Sequence, residues 1–184
     1  MPEIKHIFYQ RINTFGGGSM YNLLVSGNDD AWNGDPWIID SSRCVNEYTD
    51  ESLTQRFGSL DQVSKTALKK LPCIFAYETA CRTPPKFGLI TDIVHRQRQV
   101  RIEYKLIEVD GFISHDDLID FAVELDIGKW ELNRTHWAVK DVDLARELKG
   151  MGVKLPPWVM GLGRTVDITT HQFRVALSFP GESR

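Results

Sequence analysis

Val100-Arg101-Ile102-Glu103-Tyr104-Lys105-Leu106 decides the fold class of this chain. Apolar residues at 100, 102, 104 and 106 alternate with charged ones at 101, 103 and 105. Successive side chains of a strand point to opposite faces, so a period of two marks an antiparallel strand buried on one face. The run from 87 to 95 and a polar turn at 96–99 supply its partner, and residues 87–109 read as a hairpin. Further toward the N-terminus, 73–77 (CIFAY) reads as a strand and Trp37-Ile38-Ile39 as a short buried one. Residues 21–25 form a short apolar run, and 4–12 (IKHIFYQRI) read as a first strand. The Asn, Asp and Gly cluster at 26–36 reads as a turn.

Helical signals fall between and after the strands. Ser59 is placed to cap a helix over 59–70, with Val63, Ala67 and Leu68 on one face, and Pro72 stops it. Residues 41–58 read as irregular or weakly helical. Ser114 caps a second helix with Asp116 and Asp117 in its first turn, a Leu118, Phe121, Ala122 and Leu125 stripe, and Gly128 at its end. A third is expected over 140–149, where Leu144 and Leu148 lie four apart. The fold class is therefore α+β, a small antiparallel sheet or partly open barrel with packed helices. Gly152, Pro156, Pro157, Gly161 and Gly163 give 151–170 a linker composition. The expected organisation is a domain over 1–155, a linker over 156–170, and the start of another domain over 171–184.

Composition narrows the function classes. The 184 residues are 42% apolar and 26% charged, as in a globular protein. Lys and Arg number 22 against 25 Asp and Glu, a formal net charge of −3, so a strongly basic protein is excluded. No apolar run reaches about 18 residues, and the first fifteen lack a signal-peptide pattern. A cytoplasmic chain with no membrane partner is expected. Cys44, Cys73 and Cys81 form no CxxC pair and give no zinc framework, so they read as reduced thiols.

The ending is physically odd. A strand follows the linker, and its apolar run Val175-Ala176-Leu177 suits the centre of a parallel sheet covered on both faces. The stretch Phe173-Arg174-Val175-Ala176-Leu177-Ser178-Phe179-Pro180-Gly181-Glu182-Ser183-Arg184 resembles the opening motif of Toll/interleukin-1 receptor (TIR) domains, in the bacterial form with Ala-Leu-Ser-Phe. The resemblance covers 12 of 184 residues. It implies the first strand and loop of a flavodoxin-like α/β domain that would be truncated here, one that in bacteria often cleaves NAD or assembles in anti-phage defence. By position, Ser178, Phe179, Pro180, Gly181, Glu182 and Arg184 would line its nucleotide pocket, beyond the carboxyl end of a parallel strand. The family's catalytic Glu lies further along than residue 184, and Glu182 belongs to the first loop. This chain is thus expected to be inactive, with no cofactor of its own and NAD as the substrate of a longer protein. The implied partners are a downstream TIR domain in cis and a homo-oligomer.

If a TIR effector follows, the preceding domain is expected to sense or regulate. One cluster could do this: Trp130-Glu131-Leu132-Asn133-Arg134-Thr135-His136-Trp137. Trp130, Arg134, His136 and Trp137 could stack a base and clamp a phosphate, a site for a nucleotide or nucleic-acid trigger. The same residues also admit a structural reading: both Trp in the core, Arg134 paired with Glu131, and His136 a satisfied buried histidine. The basic stretch His95-Arg96-Gln97-Arg98-Gln99-Val100-Arg101 could touch phosphates or be a solvated turn. Gly16-Gly17-Gly18-Ser19 lacks GxxxxGK[ST] and GxGxxG and reads as a turn. Asp29, Asp30 and Asp35 lack calcium-loop spacing, and a helix N-terminus accounts for Asp116 and Asp117 beside His115. No GxSxG occurs. Two rival readings stand beside the TIR one: a self-contained nucleotide- or nucleic-acid-binding module, and an interaction domain that pairs its last strand with a partner's sheet edge.

Overall fold

Strand β1, Tyr21–Ser26, is buried at every position. It lies in the middle of a sheet in the computed structural model, which describes residues 19–161. The expected strand at 4–12, the Gly16-Gly17-Gly18 turn, most of the 156–170 linker and the 171–184 motif lie outside the described residues. β1 pairs in parallel with β3, Pro72–Tyr77, and antiparallel with β6, His136–Lys140. β3 leads through β4, Lys86–Arg96, and β5, Gln99–Ile107, to β2, Trp37–Asp40. The sheet order is β2-β5-β4-β3-β1-β6, open and mostly antiparallel, with one parallel pair. The α+β class holds; the sheet is open and does not close into a barrel.

Alternation along β1 and β3 feeds two cores. Leu24, Cys73, Phe75 and Tyr77 point to one face, where they meet Leu53 and Phe57 of α1 (Glu51–Phe57) and Leu68 of α2 (Gln62–Leu68). Tyr21, Leu23, Val25, Ile74 and Ala76 point to the other face. There they meet Leu118 of α3 (His115–Asp120) and Leu144 and Leu148 of α4 (Leu144–Gly150). Coverage on both faces is why these strands read as continuous apolar runs. Buried Asn22 is satisfied: its amide nitrogen donates to the Leu68 carbonyl at 2.9 Å, and the Trp137 indole N–H donates to its oxygen at 3.0 Å.

The β4–β5 hairpin alternates as expected. Val100 and Ile102 are buried, while Arg101, Glu103 and Lys105 lie on the opposite face. Its tip is a two-residue turn, Gln97-Arg98, with Gln97 at φ +54°. One extra residue, Thr91, bulges between the Ile90 and Asp92 pairings. Gly88 is required by a close approach: a Cβ there would sit 2.3 Å from the Lys105 carbonyl oxygen and 3.0 Å from the Phe75 ring.

Several boundaries move. The first helical region is two helices, and Asp50 and Asp61 cap them, not Ser59. Asp61 accepts the N–H of Ser64, and Ser59 hydrogen-bonds its carboxylate instead. Val63 is 79% exposed, so it leaves the apolar stripe. The helix expected over 140–149 begins at Leu144, because 136–140 is strand β6 and Asp143 is the cap. Trp37-Ile38-Ile39 is a strand at the sheet edge, with Ile38 58% exposed and only Ile39 buried. Val153 and Val159 are buried in the α3–α4 core, so packing continues into the segment expected to be linker. Ser114 forms the expected cap, with a full capping box to Asp117.

Two outcomes follow from this packing. Gly88→Ala should lower stability by about 1–3 kcal/mol in urea unfolding, through overpacking against backbone. Hydrogen bonds from Ser42, Ser52, Ser64 and Ser114 hold the carboxyls of Asp40, Asp50, Asp61 and Asp117 below the ordinary aspartate value. A carboxyl depressed by folding adds stability above its unfolded pKa and loses it as pH falls through the folded one. Thermal midpoints should therefore fall on acidification below about pH 4, the ordinary aspartate range. Asp50→Asn and Asp61→Asn should each flatten that acid limb.

Candidate functional site

The segment 130–141 does not converge on one pocket. Trp137 is fully buried on the α1–α2 face of β6. His136, its neighbour on the strand, points to the opposite face and is equally buried. Trp130 is 65% exposed, with the Lys129 ammonium 5.3 Å from its ring centroid. Arg134 is exposed and forms a two-point pair with Glu47, with Nη2 donating to Oε1 at 2.7 Å and Nε donating to Oε2. The expected partner Glu131 is engaged elsewhere. A base stacked on Trp130 could not also reach Trp137 or His136.

Glu131 instead anchors a buried polar cluster. Its Oε2 accepts from Lys140 Nζ at 2.9 Å and from the Gly128 N–H at 2.7 Å. Its Oε1 lies 3.0 Å from His136 Nε2. His136 Nδ1 lies 2.7 Å from the Arg134 carbonyl oxygen. Lys140 also donates to the Tyr48 carbonyl at 2.8 Å, and the Tyr48 ring lies 4.9 Å from the imidazole. Tyr21, beside them, donates its hydroxyl to the Leu125 carbonyl at 2.7 Å. Burial first, then the charges of Glu131 and Asp126, push its phenol well above the ordinary tyrosine value. Every polar group in this cluster is satisfied from within the fold, which makes it structural.

The concavity that does suit a ligand lies beyond the carboxyl ends of β1 and β3, the position where open α/β sheets bind ligands. It is a cleft of about 550 Å³ reaching from Ser26, Gly27 and Asn28 across the 28–37 loop to Ile38 and Tyr104. Trp32 sits at its base with its backbone at φ +58°, a region bulky residues rarely adopt. Its indole donates to the Ala76 carbonyl at 2.8 Å, and its ring packs 4.9 Å from Trp37, 5.0 Å from Phe75 and 5.5 Å from Tyr104. The Gly34 N–H donates to the Tyr104 hydroxyl at 3.0 Å, which closes the loop onto the sheet.

The strand ends behind the cleft are tied by a short relay. The Gly27 N–H donates to Thr135 Oγ1 at 2.9 Å, and that hydroxyl donates to Glu78 Oε1 at 2.6 Å. A Cβ at residue 27 would stand 2.8 Å from the same carboxylate oxygen, so a larger residue there would displace the end of the Glu78 side chain. Asp30 and Asp35 supply the charge among the described residues that line the cleft. Two carboxylates line the cleft and the nearby Lys86 ammonium is engaged by the Trp32 carbonyl at 2.8 Å, so the chemistry favours a neutral polar or cationic group held against Trp37 and Tyr104.

Thiol nucleophiles are not prepared here. Burial pushes the Cys44 and Cys73 thiols up to about 12, and desolvation with Asp29 alongside pushes Cys81 up to about 11. Among the described residues no group of three His, Cys, Asp or Glu side chains converges to hold a metal ion. No described helix is long and apolar enough to cross a membrane. Ser178, Phe179, Gly181, Glu182 and Arg184 lie outside the described residues. Compared with family models, curated proteins and solved structures, the chain matches none.

Trp37, Tyr104 and Glu78 were not marked by any motif, and Thr135, although inside the 130–137 cluster, was not singled out there. Tyr104 reads as an ordinary core position of an alternating strand, and Thr135 and Glu78 only meet through sheet pairing. The available signal was a Trp placed inside a Gly-, Asn- and Asp-rich loop. Lys140→Ala should destabilise the fold by about 3–5 kcal/mol, because it leaves the buried Glu131 carboxylate without its ammonium. Trp130→Ala should change stability by no more than about 0.5 kcal/mol, as at an ordinary surface position. Chemical unfolding of both variants checks the contrast, and equal losses would contradict it.

Proposed function

We propose that the chain is the N-terminal sensing or regulatory part of a bacterial TIR-domain protein acting in anti-phage defence. NAD cleavage would be carried by the TIR part that the 173–184 motif opens. The observation that carries this reading is the ordered match of Phe173, Val175-Ala176-Leu177, Ser178-Phe179 and Gly181-Glu182 behind a Pro- and Gly-rich stretch. The described domain supports it indirectly. Its core is covered on both faces by its own helices. The β6 edge is also occupied: Cys44 bridges Trp137 in parallel, and the Val45 N–H donates to the Trp137 carbonyl at 2.7 Å. A self-sufficient domain ahead of an effector suits a regulatory role. The cleft beyond β1 and β3 is the place to read a signal, and its carboxylates point to a neutral polar or cationic small molecule. A phosphate-bearing trigger would have to bind elsewhere, for which the basic hairpin tip is the available surface.

The test is nicotinamide release from NAD by the protein expressed from its own locus, set beside the 184-residue chain. The locus product should exceed 21.0 kDa and release nicotinamide in phage-infected cells, while the 184-residue chain should release none. A locus product that leaves NAD untouched in both infected and uninfected cells removes the reading.

A further inference from the structure

The β2 edge ends the sheet without a described neighbour. In its pairing with β5, Ile39 opposes Val100 and Ile38 opposes Arg101. One step beyond β2, the Ser41 N–H donates to the Arg98 carbonyl at 2.8 Å, in register with the Ile39 and Val100 pair. Hydrogen-bonded and non-bonded pairs alternate along an antiparallel ladder. Residues 37 and 39 therefore spend their backbone groups on β5, Ile38 presents both of its groups outward, and Asp40 presents its N–H, its carbonyl accepting from the Cys44 thiol at 3.5 Å. Ile38 is also the exposed apolar side chain of the strand. It stands in one row with Arg101 and Val94 on the face that α3 and α4 leave open.

The surroundings of the two ends of β2 differ in charge. Asp35 lies two residues before the strand, with Asp30 in the same loop. At the other end stand Arg96 and Arg98 of the hairpin tip and Arg43; Arg98 and Arg43 lie close enough to act on the Asp40 carboxyl, which Ser42 already engages. Arg43, Arg96 and Arg98 outnumber the Asp40 carboxylate and leave that end net basic, so the edge complements itself when it is turned antiparallel.

We infer that β2 pairs antiparallel with β2 of a second copy of this chain, joining two six-stranded sheets into one. Ile38 of each copy opposes Ile38 of the other, exchanging two backbone hydrogen bonds and stacking two exposed isoleucines on one face. Asp40 then lies opposite Pro36, whose carbonyl can still accept and whose missing N–H costs nothing there. The acidic loop of each copy meets the basic hairpin tip of the other, twice over by the two-fold symmetry. The ladder is short, so the association is weak and salt-sensitive.

Sedimentation equilibrium of the 184-residue chain, with amide exchange of Ile38, tests this. The chain should dimerise at concentrations on the order of 100 µM, with protection of the Ile38 amide rising with concentration. Ile38→Lys, at an exposed position, should keep the thermal midpoint and weaken dimerisation about tenfold or more. Asp35→Arg and Arg98→Glu should each weaken it, and the double variant should restore it. A monomer at every concentration overturns the inference, whether the Ile38 amide exchanges freely or is protected by another segment of the same chain. A dimer indifferent to Ile38→Lys places the interface elsewhere and overturns it equally. Failure of the double variant to restore association removes the charge pairing.

Discussion

Burial of β1 on both faces is the constraint on which the described domain depends. A strand with no solvated face needs a layer on each side, and α1–α2 and α3–α4 supply them. It also needs neighbours on both edges, which β3 and β6 provide. The parallel β1–β3 pair then forces a long crossover, and the chain between them is spent on β2, α1 and α2. The antiparallel hairpin extends the sheet away from this double layer, and there one face returns to solvent.

Polar groups inside this apolar centre settle which elements meet. Asn22 is a fully buried polar residue on the α1–α2 side, and its hydrogen bonds reach α2, β3 and β6 at once. On the other side Glu131 gathers Lys140, His136 and the Gly128 amide. A slip of β6 by one residue would carry His136 and Lys140 to the Trp137 face and leave Glu131 uncompensated. The cluster thus fixes the register of β6 on β1. The same register brings Thr135 to Gly27 and Glu78, so the buried cluster and the cleft share one cause.

The hairpin at 87–109, the capping box at Ser114 and the strand at 73–77 were legible because each is a local pattern: a period of two, a cap three residues from its partner, an apolar run closed by turn residues. Strand β6 was not legible. HWAVK is only five residues long, and it buries His136 and Lys140, whose polarity marks them as surface positions when read locally. Ile38 looked buried for the converse reason. Its neighbours are apolar, and nothing local says that β2 is the last strand of the sheet. The grouping of Trp130, Arg134, His136 and Trp137 failed on geometry, because adjacent strand residues point to opposite faces.

The amino-acid sequence by itself determined the α+β class, the central hairpin, the capping residues near 114 and an overall charge that is not strongly basic. Those are matters of composition, short-range periodicity and contiguous motif. Tertiary structure alone decided the strand order, the pairing of Arg134 with Glu47, the burial of the Glu131 cluster and the cleft walled by Trp37, Tyr104 and the acidic loop. Each of these joins residues far apart along the chain. Such contacts depend on which strand edges and faces meet, and local hydropathy does not encode that.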